Sequence, residues 1–145
     1  MDTAIKTVMN LHEFAPSPVV NAAFSGLVAA AVQAASLPSW CGDDVQREVQ
    51  RRCALSESEM EMYWSRRITS SAQPSQELER FWYIDNYREL VRREVGLLAG
   101  SGLFLNERSR AAMVGSGPLP LTAWCLWQQT GAAVDLGDIS ESALA

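Results

Sequence analysis

The chain has 145 residues, 48% of them hydrophobic, and a net charge of −5, enough for an ordinary domain with its own core. It carries no basic run, which argues against nucleic acid, whose binding rests on clustered Lys and Arg. Its three cysteines are scattered without a C-x-x-C pair and its one histidine stands alone, so neither a zinc site nor a disulfide framework is expected, and a reducing cytoplasm fits.

In chain order, Asp2 is placed to cap a first helix ending near Phe14, which Pro16-Ser17-Pro18 breaks. A second helix is expected from about Val19 to Ala35. The apolar run from Val19 to Leu37 reads as a buried or amphipathic helix rather than a signal peptide or a membrane span. Asn21, Ser25 and Gln33 interrupt it, Glu13 lies upstream, and no Lys/Arg cluster leads into it. Leu37 to Gly42 reads as a turn, after which Asp43 or Asp44 caps a helix to about Cys53. Ser56 and Glu59 match the S-x-x-E capping box, so a further helix is expected from there to Ile68. Thr69 to Pro74 is a polar linker. Ser75 then caps a long helix from about Gln76 to Ala99, closed by Gly100. A loop from Gly102 to Arg108 leads to a strand (Arg110 to Val114), a helix (Leu119 to Thr130) and a second strand (Ala132 to Leu136).

The expected architecture is α/β. Residues 1–108 form a helical N-terminal domain, and 109–145 form the first β-α-β unit of a Rossmann-like fold. Two parallel strands and one crossover do not make a stable sheet by themselves. Ser140 to Ala145 reads as a helix cap cut short, so either the chain is truncated or a partner completes the sheet.

Three stretches carry candidate chemistry. Gly115-Ser116-Gly117 follows the first strand, where missing side chains permit a tight turn and close approach of a ligand. The third glycine of the dinucleotide fingerprint is absent. Pro118 stands there instead and suits a first helical position. Asp138 lies about 20 residues on, at the end of the second strand, where an acid can hold ribose hydroxyls. This spacing fits NAD and S-adenosylmethionine equally, and an ordinary strand-to-helix turn remains the plainer alternative. On the long helix, Tyr83, Tyr87, Leu90, Val91, Glu94 and Leu98 fall on one face with Asn86 at its edge. That face is either a half-exposed helix surface or the wall of a polar-ligand site. Glu61 shares a helix face with Trp64 and Ile68. It is either a solvated helix glutamate or a base whose pKa is raised beside aromatic rings.

Together these stretches resemble the nicotianamine synthase family, including its bacterial branch that makes opine-type metallophores of the staphylopine and pseudopaline kind. Pro16-Ser17-Pro18-Val19-Val20-Asn21-Ala22-Ala23-Phe24 is similar to the family's P-S-P-x-V-N-x-x-F segment. Glu61-Met62-Tyr63-Trp64-Ser65 is similar to its acid-plus-aromatic helix. Phe81-Trp82-Tyr83-Ile84-Asp85-Asn86-Tyr87, with Glu94 beyond, resembles its aromatic N-Y motif. The most specific likeness is Val114-Gly115-Ser116-Gly117-Pro118-Leu119-Pro120-Leu121-Thr122.

The resemblance implies transfer of the 3-amino-3-carboxypropyl (aminobutyrate) group of S-adenosylmethionine to the amine of an amino acid, histidine in the bacterial branch. It implies Glu61 and Tyr83 as catalytic residues. Gly115, Ser116, Gly117, Pro118, Leu119, Asp138, Ile139 and Ser140 would hold S-adenosylmethionine, and Asn86, Tyr87 and Glu94 the amino-acid substrate. No metal is required for the transfer. An opine dehydrogenase is the implied pathway partner, with no nucleic acid and no membrane. Two other readings compete: an S-adenosylmethionine-dependent methyltransferase, and a truncated, non-catalytic interaction module that dimerises through its sheet edge.

Overall fold

The computed structural model describes residues 1–34, 38 and 40–143. Their contacts gather into two compact units, Met1–Tyr63 and Trp64–Ala145. The sequence division at 108/109 marks a change of character from helices to β-α-β and falls inside the second unit.

In the first unit, α1 (Asp2–Met9) and α2 (Pro18–Gln33) pack together and bury Ile5, Val8, Val20 and Ala23. Met1, not Asp2, is the N-cap of α1. Asp2 stands in the first turn and pairs with Lys6 at 3.0 Å, where its charge also suits the positive end of the helix. α1 stops at Met9, short of the expected Phe14. The reason is Arg52, whose guanidinium donates to the carbonyls of Val8 (3.2 Å) and Leu11 (2.7 Å) and lies 5.7 Å from the Phe14 ring. It satisfies carbonyls that a longer helix would have used itself. Ser17 caps α2, its Oγ accepting from the Val20 amide at 3.2 Å, with Pro18 at the first helical position. The expected turn over Leu37 to Gly42 lies partly outside the described residues, as does Ala35. Within it, the Cys41 amide donates to the Pro38 carbonyl at 2.9 Å.

A single helix of 27 residues, α3 (Asp43–Thr69), replaces the two expected before and after Ser56. Ser56-x-x-Glu59 has the capping-box sequence, but no Gly or Pro breaks the helix on either side of it. Ion pairs one turn apart (Arg47–Asp44, Arg51–Glu48, Arg52–Glu48) reinforce the first half. Asp43 and Asp44 at its start and Arg66 and Arg67 at its end also complement the helix dipole.

The second unit takes the end of α3, then α4 (Pro74–Leu78), α5 (Ile84–Gly100), β1 (Arg110–Val114), α6 (Leu121–Thr130), β2 (Ala133–Gly137) and a 3₁₀ turn at Glu141–Ala143. The long helix expected from Gln76 is broken at residues 79–83. Phe81 is fully buried there and packs edge-on to Trp64 at 5.4 Å between ring centroids. Burying that ring outweighs the helix propensity of its neighbours. α5 then runs to Gly100, but its closing residue is Gly102, at φ +88°. The Leu103 amide donates to the Leu98 carbonyl (2.9 Å) and the Gly102 amide to that of Ala99 (3.0 Å), a Schellman closure.

β1 and β2 are parallel, with Arg110 opposite Ala133 and Val114 opposite Gly137. α6 packs against both β2 and α5. One face of the sheet is open, with Val114 91% exposed, and on the exposed surface Arg110 reaches across to both carboxylate oxygens of Asp135 at 2.8 and 2.9 Å. α6 begins at Leu121, not Leu119, because Pro120 is its N-cap and accepts the first helical bond from the Trp124 amide at 3.0 Å. Gly131 ends α6 at φ +74°, and a Cβ there would lie 2.7 Å from Glu107 Cγ. Gly131→Ala is therefore expected to cost about 1–2 kcal/mol from its left-handed backbone alone, read as a lower thermal midpoint. An exchange to Ala at Gly26, in open space at ordinary φ, raises no such penalty.

The ion pairs predict an acid transition. The hydrogen bonds of Arg51 and Arg52 hold Glu48 down to about 2, and those of Arg92 and Arg93 do the same for Glu89. A carboxylate with a depressed folded-state pKa stabilises the fold above its unfolded pKa, and that contribution is lost as pH falls through the folded value. Stability is therefore expected to decline as pH drops from the ordinary glutamate value of 4.5 towards about 2. Added salt shrinks the effect because the pairs are exposed. Thermal melts across that window, at low and high salt, check both signs.

Candidate functional site

Parallel pairing puts the C-terminal ends of β1 and β2 side by side, so the loops that leave them meet. Gly115 and Gly117 adopt φ of +77° and +67°, which side-chain-bearing residues rarely occupy. The Gly115 amide donates to the Gly137 carbonyl at 2.7 Å and the Ser116 amide to the same oxygen at 3.2 Å. The Gly117 amide donates to Asp138 Oδ2 at 2.9 Å, and the Ser140 amide to Asp138 Oδ1 at 2.9 Å. The backbone N–H groups of Ser140 and Gly117 hold the Asp138 carboxyl below the usual carboxylate range.

This arrangement brings Gly115, Ser116, Gly117, Asp138 and Ser140 into one hydrogen-bonded constellation. Ser116 is 7% exposed, and its buried hydroxyl has no hydrogen-bond partner among the described residues. That is unusual for a buried polar group and leaves the hydroxyl able to bond to water or a ligand. A Cβ on Gly115 would meet nothing within 4 Å, so space lies open beside the turn. Pro118 and Leu119 are half-buried and separate the turn from α6, and Ile139 is fully exposed. The expected placement of Pro118 as the first helical residue is thus corrected: the P-L-P segment is a bend between the glycine turn and the helix, tightened at Pro120 by the Leu121 amide donating to the Leu119 carbonyl at 2.7 Å.

The second constellation is aromatic. Phe81 sits at its centre, with Trp64 at 5.4 Å, Tyr83 at 5.9 Å and Tyr87 at 6.4 Å between ring centroids. Tyr83 precedes α5 as its N-cap, packs against Phe81 and Trp82, and is 41% exposed. Tyr87 is half-buried. The inner face of α5 has Ile84 and Val91 buried and Tyr87, Val95 and Leu98 half-buried in the 3–4 spacing, whereas Leu90, Glu94 and Asn86 are exposed. The expected apolar stripe is therefore rotated: Ile84 joins it and Leu90 leaves it. Glu61 belongs to the first unit, half-buried on α3.

Glu77 is a residue that sequence reasoning missed. It is a buried carboxylate that accepts hydrogen bonds from Arg67 and, at 2.8 Å, from Arg80, and these lower its pKa. Arg67 also stacks 5.0 Å over the Trp64 ring. The pair ties the end of α3 to α4 just before the aromatic turn. One glutamate among many gave no sequence signal for this, since its partners are 10 residues before and 3 after it.

Burial pushes the Cys125 and Cys53 thiols up, away from nucleophile behaviour. Among the described residues no group of three or more His, Cys, Asp or Glu is placed to hold a metal ion, and no helix is long and apolar enough to cross a membrane.

Comparison with known proteins places these features. The chain matches the family model described as nicotianamine synthase protein over residues 3–143. It is 35% identical over 120 residues to nicotianamine synthase-like 5 protein of Hordeum vulgare, covering 80% of this chain and 42% of that one. It is 33% identical over 120 residues to nicotianamine synthase 3 of Oryza sativa subsp. indica, covering 80% of this chain and 35% of the relative. A crystal structure of a point mutant of a protein named MtNAS superposes with a TM-score of 0.72 at 18% identity, covering 98% of this chain and 57% of the other. This chain thus spans between about a third and three-fifths of the length of these proteins. With the family match running from the first turn of α1 to beyond the Asp138 loop, the chain belongs to the nicotianamine synthase family.

Proposed function

We propose that this chain takes part in moving the 3-amino-3-carboxypropyl group of S-adenosylmethionine to the amine of an amino acid, histidine, in building an opine-type metallophore. The observation that carries the reading is the family match over residues 3–143, which includes the whole Gly115–Ser140 constellation. The bacterial branch and the histidine acceptor rest on the sequence likeness alone.

The bound sulfonium supplies an electrophilic γ-carbon, and everything else falls to the protein. The acceptor amine attacks only after losing a proton, and a carboxylate is the simplest base for it. Glu61 is assigned that role. Tyr83 and Tyr87 offer ring faces from the Phe81 cluster, which suit a cation and exclude water. Tyr83 also has a hydroxyl for the reacting amine, the ground for counting it as catalytic. Choosing the γ-carbon over the methyl is a matter of position, so rigid placement of these rings matters more than any single contact. Asn86 and Glu94, being exposed, are free to meet the polar ends of an amino acid.

The turn residues Gly115, Ser116 and Gly117, with Pro118 and Leu119 behind them, take the methionine–ribose end, and Asp138, Ile139 and Ser140 form the rim nearest the ribose. The turn fits such a ligand: it has open space at Gly115 and a buried Ser116 hydroxyl with bonding capacity to spare. The pathway partner would be an opine dehydrogenase that reductively joins the product to a keto acid. Photo-crosslinking of radiolabelled S-adenosylmethionine tests the assignment. Label is expected in the peptides around residues 113–121 and 136–143, competed by methylthioadenosine, and label confined to other peptides would contradict it.

A further inference from the structure

We propose that Asp138 is a positioning residue that closes the glycine turn from within and makes it selective for nucleosides carrying no phosphate. This rests on the reading of the turn as a nucleoside site and adds which nucleosides it admits. A glycine-rich turn captures phosphate by presenting N–H groups that have no partner inside the protein. Here every amide of the turn has one. Gly115 and Ser116 both donate to the Gly137 carbonyl, at 2.7 and 3.2 Å. Gly117 donates to Asp138 Oδ2 at 2.9 Å.

A phosphate would have to displace a carbonyl and a carboxylate, and would meet the negative charge of Asp138 at the Gly117 amide. Residues 114–121 and 137–143 contain no Lys or Arg to offset that repulsion. The carboxylate is itself held in place, because its other oxygen accepts from the Ser140 amide at 2.9 Å. It thus acts through Gly117, fixing the turn, rather than only by waiting for ribose hydroxyls. A sulfonium nucleoside brings positive charge and no phosphate, so the same carboxylate does not repel it.

The test titrates ¹⁵N-labelled chain and its Asp138→Ala variant with ADP and, separately, with methylthioadenosine. In the wild type, ADP is expected to leave the Gly115–Gly117 amides unmoved. In Asp138→Ala, which offers the Gly117 amide no acceptor, ADP is expected to shift them, with affinity at least about tenfold higher than wild type. ADP shifting both proteins alike, or neither, overturns the proposal. Without ligand, the Gly117 amide is expected to exchange its hydrogen about tenfold faster in the variant, and equal rates overturn it. Should the variant not fold, the wild type decides: as the Asp138 carboxyl titrates, the Gly117 amide is expected to shift with the same midpoint, and a Gly117 signal that ignores the titration overturns the proposal. The methylthioadenosine arm reads the function separately. Failure of that ligand to bind, with the ADP and exchange results as expected, tells against the proposed function and leaves the role of Asp138 standing.

Discussion

Replacing Phe81 with alanine is expected to destabilise the second unit by about 3–5 kcal/mol. Phe81 is fully buried, and the Trp64, Tyr83 and Tyr87 rings all pack around it. Removing the ring leaves a cavity that three large neighbours cannot readily collapse into. Trp82→Ala serves as the contrast. Its ring is adjacent in sequence and larger, but it is 55% exposed, so its loss is expected to cost far less. Chemical denaturation followed by tryptophan fluorescence separates the two, and equal losses would show that Phe81 is not the centre of this core. The consequence reaches function, because the break in the helix at residues 79–83 exists to bury Phe81 and thereby sets where Tyr83 and Tyr87 stand.

On the proposed reading of Glu61 as the general base, Glu61→Gln is expected to lower any aminobutyrate transfer by about 10²–10⁴-fold. The substitution keeps the size and one accepting oxygen of the side chain and removes its ability to take a proton. Binding of S-adenosylmethionine is expected to remain, because the glycine turn and Asp138 are untouched. Rates measured above the pKa of the acceptor amine are expected to recover in part, since the amine then arrives without its proton. A rate for Glu61→Gln within a factor of about three of wild type at neutral pH would remove Glu61 from this role.

The elements that sequence made legible are those whose signals are local and unambiguous. β1, a run of five residues closed by Gly115, stands where expected, and β2 is displaced by one residue. The places of the Gly-Ser-Gly turn and of Asp138 are also readable, because both follow the ends of two parallel strands that lie side by side. The failures arose where a local signal competes with a distant one. Ser56-x-x-Glu59 is a sound capping sequence, but nothing in the flanking residues asks the helix to stop, so α3 runs through it. The aromatic run at residues 81–83 looked like one more helix turn, and only the burial of Phe81 against Trp64 shows why the chain breaks there. Arg52 reads as an ordinary surface cation until its bonds to the Val8 and Leu11 carbonyls are seen. In the site, sequence named Asp138 but not what its oxygens hold. A carboxylate that serves a ligand and one that ties a loop have the same letter at the same spacing.

The most direct test of the functional reading is to identify what becomes of S-adenosylmethionine when the chain is incubated with it and with histidine. Mass spectrometry distinguishes the products without ambiguity. The account predicts that any turnover releases methylthioadenosine and extends histidine by one aminobutyrate unit. Release of S-adenosylhomocysteine with a methylated acceptor would contradict it and make the protein a methyltransferase.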